Sequence, residues 1–220
     1  MLTVELINNN IPQLQLQDSV HKALQLINDF RVTHLPVVAE DKYLGLISED
    51  DLLDAEEVKL PVEALQNEFT NVFVYDNEHF LKAVNISNQY HTTVVPVITE
   101  ERELMGVITS NDLLRTIGAF SGSNEMGGII VLEMEQNQFA ISEISRIIES
   151  NNATIHHLNS IIQPETGLLT VTIHINKKEI AAIVATFERY DYDIIYYFGN
   201  EQFENEIHSN YRHLMNYLDI

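Results

Sequence analysis

Apolar positions first settle into a helical rhythm at Val20, Ala23, Leu24, Ile27 and Phe30, directly after the helix-start signal Asp18-Ser19. Leu35-Pro36-Val37-Val38 is a short β-prone run and reads as a buried strand. Glu40-Asp41 turn the chain into a second strand over Tyr43-Leu44-Gly45-Leu46-Ile47, and Ser48 caps a helix through Leu52-Leu53. With the short strand before the first helix, the unit reads strand, helix, strand, strand, helix. The pattern then returns from Asp76 to Ile117, with Phe80, Ala83, Val84 and Tyr90 on the helix stripe. Lys22-Ala23 through Pro36-Val37 aligns without a gap on Lys82-Ala83 through Pro96-Val97, and Gly45 through Leu53 aligns on Gly106 through Leu114. The offset is 60 at the prolines and 61 from Gly45 onward, so the second copy carries one extra hairpin residue. Leu60 to Phe69, opened by Pro61, predicts a short helical connector. A repeat of this length cannot bury its apolar face alone and packs against its copy. The place to look for a site is therefore the cleft between two similar halves.

Beyond the repeat the pattern changes. Gly118 to Gly128 holds four glycines and two serines in eleven residues, a composition that predicts a flexible linker and a domain boundary. Strands follow over Ile129–Leu132, Ala153–Ile162, Leu168–Ile175 and Asp193–Phe198. Between them lie a helix striped by Ile141, Ile144, Ile147 and Ile148 and another over Glu179–Tyr190. That order, βαββαβ, is the ferredoxin-like sandwich. Phe203, Ile207, Tyr211, Leu214 and Leu218 mark an amphipathic terminal helix. The expected fold class is α/β in the α+β sense. Its parts are a first repeat (1–57), connector and second repeat (58–118), linker (119–128), ferredoxin-like domain (129–199) and terminal helix (200–220).

Composition narrows the function. The chain is 45% apolar, ample for packed cores. Its net charge is -21, with 12 Lys plus Arg against 33 Asp plus Glu, and such a surface repels phosphate backbones and anionic lipid. Neither a nucleic acid nor a membrane surface is an expected partner. The absence of cysteine removes disulfides, thiolate catalysis and Cys-ligated zinc. Met1-Leu2-Thr3-Val4-Glu5 lacks the basic start of a signal peptide, and no apolar run approaches the ~18 residues that span a bilayer. The expected location is the cytoplasm.

Candidate chemistry concentrates at Ser48-x-x-Asp51 and Thr109-x-x-Asp112, each after a Gly-apolar-Ile strand end and each opening a helix. Unpaired N–H groups and the positive dipole end suit a phosphate there, and an Asp one turn on can accept from ribose hydroxyls. The same pattern is also a capping box that needs no ligand, and the residues alone favour capping. The surroundings differ. Ser48-Glu49-Asp50-Asp51 sets three carboxylates where a phosphate would dock, whereas Thr109-Ser110-Asn111-Asp112 carries one, with Arg115 nearby. If one of the two sites binds a nucleotide, the second is the one favoured; the first would instead take a neutral or cationic ligand, or stay empty. No catalytic residue or metal site is expected. Gly-x-Ser-x-Gly, Walker and His-Glu-x-x-His motifs are missing, and the nine histidines read as surface or packed side chains. His156 and His157, adjacent on a strand, should face opposite sides, and His34 has no partner at ligand spacing.

The two copies resemble a tandem pair of CBS (cystathionine-β-synthase) domains, a Bateman module. The resemblance rests on the apolar-Pro-Val strand followed by Gly-apolar-apolar-Ser/Thr-x-x-Asp-Leu, found twice over roughly residues 1–120. It implies a regulatory, non-enzymatic protein that binds an adenosine-containing ligand (AMP, ADP, ATP or S-adenosylmethionine) in the clefts between repeats and requires no cofactor. By resemblance the binding residues are Ser48, Asp51 and Pro36, and Thr109, Asp112 and Pro96. The alternative is a constitutive assembly protein without a small-molecule ligand. Residues 129–198 resemble an ACT domain, and the order of CBS pair, Gly-rich linker and ACT resembles the acetoin-utilisation B-type proteins. ACT domains that bind amino acids usually carry a Gly after the first strand. Here the loop is Glu135-Gln136-Asn137-Gln138, with Asn137 placed to cap the next helix, so a purely dimerising domain is expected. The implied partner is a second copy of the chain.

Overall fold

The computed structural model describes residues 1–199, so the expected terminal helix over 200–220 lies outside the described residues. The chain divides into two compact units, Met1–Ile117 and Gly118 onward.

In the first unit each repeat builds a three-stranded sheet. The first contains β1 (Leu14–Gln15), β2 (His34–Ala39) and β3 (Lys42–Ser48), with helices α1 (Val20–Phe30) and α2 (Glu49–Leu53). The second contains β4 (Val74–Tyr75), β5 (Val94–Ile98) and β6 (Leu104–Thr109), with α3 (Leu81–Tyr90) and α4 (Ser110–Phe120). β1 pairs parallel with β2, and β2 antiparallel with β3; β4, β5 and β6 repeat this. Ser19 caps α1 by accepting the Lys22 amide, and Val20, Ala23 and Ile27 are buried beneath it. Burying a Val or Ile contributes about 1.5–3 kcal/mol. Phe30 and Tyr90, expected on the buried stripes, are 39% and 44% exposed. Each sits at its helix end, one residue before a left-handed cap at Arg31 or His91, where the chain leaves the core face. The connector is a 3-10 helix, Val62–Glu68, opened by Pro61.

The repeats are interlocked. Val94 and Val107 of the second repeat belong to the core built around α1, β2 and β3. The N-terminal segment, which begins with a 3-10 helix at Thr3–Leu6, crosses to the second repeat. Thr3 N–H donates to Glu78 O at 2.9 Å, and Asn8 N–H donates to Val107 O at 2.7 Å. The connector does the same for the first repeat, where Leu46 and Thr70 exchange amide bonds of 2.9 and 2.8 Å. Two glycines allow these approaches. A Cβ on Gly106 (φ 144°) would lie 2.6 Å from Ile7 Cγ2, and one on Gly45 would lie 2.8 Å from Phe69 Cβ.

The second unit contains β7 (Gly128–Met134), α5 (Ile141–Ser150), β8 (Ile155–Ile162), β9 (Leu169–Ile175), α6 (Ala181–Arg189) and β10 (Asp193–Phe198). The sheet order is β10-β7-β9-β8, all antiparallel, as the ferredoxin-like expectation requires. One face packs Ile130, Leu132, Val171 and Ile173 against Ile144, Ile147, Ile183 and Phe187 of the helices. The segment expected as a flexible linker is hydrogen-bonded instead. α4 continues to Phe120, the Ser123 amide donates to Gly118 O at 2.9 Å, and β7 begins at Gly128. Asn137 does not cap α5, whose N-cap is Ala140 without a side-chain bond. Residues Gln136–Gln138 form their own 3-10 turn, closed by Gln138 Oε1 accepting the Glu135 amide at 3.1 Å.

Candidate functional site

Both Ser/Thr-x-x-Asp motifs open helices at the ends of β3 and β6, and both are folded as caps. Ser48 Oγ accepts the Asp51 amide at 3.0 Å and donates to Asp51 Oδ2 at 2.5 Å, while the Ser48 amide reaches the same oxygen at 3.3 Å. Thr109 Oγ1 accepts the Asp112 amide at 3.2 Å and donates to Asp112 Oδ2 at 2.6 Å. The second motif differs in what surrounds it. Asn8 Nδ2 donates to Asp112 Oδ2 at 3.2 Å, and Arg115 Nη1 stands 3.8 Å from Oδ1. Burial raises the Asp112 carboxyl, but the bonds from Thr109 and Asn8, with Arg115 nearby, outweigh it and hold the group below the ordinary aspartate value. Asp112 is therefore an ionised acceptor at neutral pH.

The prolines are placed by the strands. Pro36 stands opposite Leu46 and Pro96 opposite Val107, in the middle of β2 and β5. Pro36 also lines a cavity of about 230 Å³ together with Asn9, Ile11, Pro12, Gln13 and residues 104–107 of β6. The structure thus joins Pro36 of one repeat to the strand that leads into Thr109 of the other. Asn8 and Asn9 connect this cavity to Asp112, since the first bonds the carboxylate and the second lines the wall.

Four residues around the motifs were not among the expected binding residues. Asn8 sits in a segment with no periodicity. Thr33 and Thr93, equivalent in the repeats, bond across the seam: the Thr33 amide donates to Thr93 Oγ1 at 2.8 Å and the Thr93 amide to Thr33 Oγ1 at 3.2 Å. His34, which has no partner at metal-ligand spacing, has a hydrogen-bond partner next to it. It is half-buried, its Nδ1 lies 2.8 Å from Thr33 Oγ1, and it faces Ser48 across β2 and β3. Burial lowers its pKa, against the pull of Asp51 and Asp50. The first motif therefore gathers an imidazole beside its carboxylates, and the second does not, because Val94 stands in the place of His34.

The histidine pair in the second unit also departs from expectation. A bulge between Ile155 and His157 breaks the alternation of β8. His156 then meets the His174 ring edge-on at 5.6 Å, while His157 pairs with His174 in register. Among the described residues no group of three His, Asp or Glu is arranged to hold a metal ion. No helix among them is long and apolar enough to cross a membrane.

A family model described as the CBS domain matches residues 4–57 and 67–119. A homoserine O-acetyltransferase of Methanosarcina acetivorans is 25% identical over 123 residues, which are 54% of this chain and 22% of that protein. An inosine-5'-monophosphate dehydrogenase of Korarchaeum cryptofilum is 28% identical over 116 residues, 52% of this chain and 24% of that protein. The chain spans about a quarter or less of the length of these curated relatives. The structure of a CBS domain pair/ACT domain protein from Thermotoga maritima superimposes with a TM-score of 0.50 at 19% identity. The overlap covers 55% of this chain and 98% of that one and is a likeness of fold.

Proposed function

Because residues 4–57 and 67–119 are a tandem pair of CBS domains, followed by a ferredoxin-like, ACT-like domain, we propose that this chain is a non-enzymatic regulatory protein. Its CBS pair takes an adenosine-containing ligand: AMP, ADP, ATP or S-adenosylmethionine. The observation that carries the reading is Asp112, an ionised carboxylate at a helix start, tied through Asn8 and Asn9 to the cavity beside Pro36. A carboxylate there accepts from ribose hydroxyls, and Ile11, Pro12 and Pro36 offer an apolar slot for a purine. At about 230 Å³ the slot is smaller than the ~300–1,000 Å³ of whole-ligand pockets. It takes a base, with ribose and phosphates reaching toward Thr109 and Arg115. The first motif, with Glu49, Asp50 and Asp51 in its first turn, repels phosphate and suits an uncharged or cationic adenosine derivative.

The protein acts as a homodimer. Leu53 and Leu114 hold the same position in the two repeats and are 62% and 70% exposed, so the CBS pair presents a duplicated apolar surface that a second copy would cover. Light scattering should give twice the chain mass of 25.2 kDa, and a monomer at micromolar concentration would remove this part of the reading.

One observation favours a ligand-free assembly protein: both capping motifs are satisfied as they stand. A thermal-shift and calorimetric panel of the four adenosine compounds separates the two. A ligand at 100 times its Kd stabilises the folded state by about 2.7 kcal/mol. Stabilisation by none of the four would leave assembly as the function.

A further inference from the structure

We propose that the cavity on the face of the ferredoxin-like sheet opposite α5 and α6 binds a small organic monoanion, a carboxylate on a short apolar body. Among the described residues, α5 and α6 pack on one face of this sheet. On the other face, cross-strand register sets Phe198, Ile129, His174 and His157 in one row and Tyr196, Val131, Thr172 and Asn159 in the next. The segment 121–127 runs beside the first row and closes a cavity of about 600 Å³, within the ~300–1,000 Å³ usual for small-molecule sites.

The polar groups in this cavity are ready for a ligand. His174 is only 9% exposed, lines the cavity, and neither ring nitrogen has a hydrogen-bond partner among the described residues. Among the described residues its ring contact is the edge of His156. Buried polar groups are normally bonded, so a nine-tenths-buried imidazole without a partner marks a place where something else bonds. Burial lowers the pKa of His174, helped by His156 and His157 and opposed by Glu125, so near pH 7 the ring is neutral, with one N–H to donate. Lys178 lines the same cavity and enters none of the ion pairs among the described residues.

The balance of charge selects the ligand. One lysine ammonium and the neutral His174 imidazole face a single carboxylate, Glu125, in a chain of net charge -21. A phosphate dianion would require more positive charge than this. A monocarboxylate is matched by Lys178 and the His174 N–H, and Ile129 and Phe198 supply a surface for its hydrocarbon part. The hydroxyls of Ser121 and Ser123 already donate to Gly118 O at 3.2 and 3.0 Å, so they shape the wall without competing as donors. This site does not depend on the CBS clefts being occupied.

The test uses the full chain with sodium isovalerate and benzoate as probes, isoamylamine as the cationic counterpart and inorganic phosphate as the dianion. Histidine ring signals by NMR report the site, and calorimetry gives affinity. The carboxylates should shift the His157 and His174 signals saturably. Lys178→Gln, at an exposed position, should leave the melt unchanged and weaken carboxylate binding at least tenfold, about 1.4 kcal/mol. His174→Gln should remove the response. The proposal fails if no carboxylate shifts these rings, if Lys178→Gln binds as well as the parent, or if isoamylamine or phosphate binds more tightly than the carboxylates.

Discussion

The seam between the CBS repeats can be probed through Thr33 and Thr93. Replacing either by Val keeps the β-branched shape and removes one hydroxyl. Thr93→Val takes away the acceptor of the 2.8 Å bond from the Thr33 amide; Thr33→Val takes away the acceptor of the 3.2 Å bond and the hydroxyl beside His34. Both also delete the contact between the two hydroxyl oxygens, 3.2 Å apart. Leaving a half-buried amide without a partner costs about 1–3 kcal/mol, so each single variant should fall in that range, with Thr93→Val the larger. The double variant loses the shared hydroxyl contact once and not twice. Its cost should therefore fall short of the sum by about 0.5–1.5 kcal/mol. In a unit of this size each kcal/mol lowers the melting temperature by roughly 4 °C. The chain has no Trp, so far-UV circular dichroism during urea and thermal unfolding is the suitable readout. Singles below about 0.5 kcal/mol that add without coupling would show that the bonds across the seam contribute nothing net.

Asp112→Ala should reduce adenosine-ligand affinity by about 1–3 kcal/mol, while Asp51→Ala should change it less; calorimetry giving the opposite order would move the site to the first repeat. Gly106→Ala should destabilise the first unit by about 1–3 kcal/mol, because the new methyl meets Ile7 and Asn9 at a positive φ, and an unchanged urea midpoint would contradict this. His34 and His174 both have pKa values below the ordinary 6.5 in the folded chain, so as pH falls below about 6.5 the unfolded state takes up protons first. Stability should be complete above that pH and decline toward pH ~5, and replacing both histidines with Gln should flatten the slope; a parent chain equally stable at both ends would refute the assignment.

Much of the architecture is written in the pattern. The Pro-Val strands and the Gly-apolar-Ile strand ends fold as β2, β3, β5 and β6, since each is a short apolar run bounded by turn residues. Ser48 and Thr109 cap the helices that their spacing to Asp51 and Asp112 indicates. What escapes the pattern is long in range or irregular. Asn8 reaches Asp112 across 104 positions, and no local periodicity encodes such a meeting. A count of two along β8 separates His156 from His157, but the bulge between Ile155 and His157 brings the His156 ring to the edge of His174, the residue that His157 pairs with in register. The composition of 118–128 reads as slack chain, yet the Gly118 carbonyl collects the Ser123 amide and both serine hydroxyls, and these bonds order the segment.

The crossing of the N-terminal segment has a consequence for biosynthesis. Residues 2 to 8 find their partners at His79, Glu78, Asp76 and Val107, which leave the ribosome only after most of the first unit has been made. The first repeat also lacks its buried Val94 and Val107 until then. Vectorial folding, one repeat completed before the next appears, is thus denied to this unit. Closure of such distant contacts slows folding. The nascent first repeat spends its synthesis with an unfilled core, and a truncation before Asp76 releases a chain with none of these partners for its own beginning.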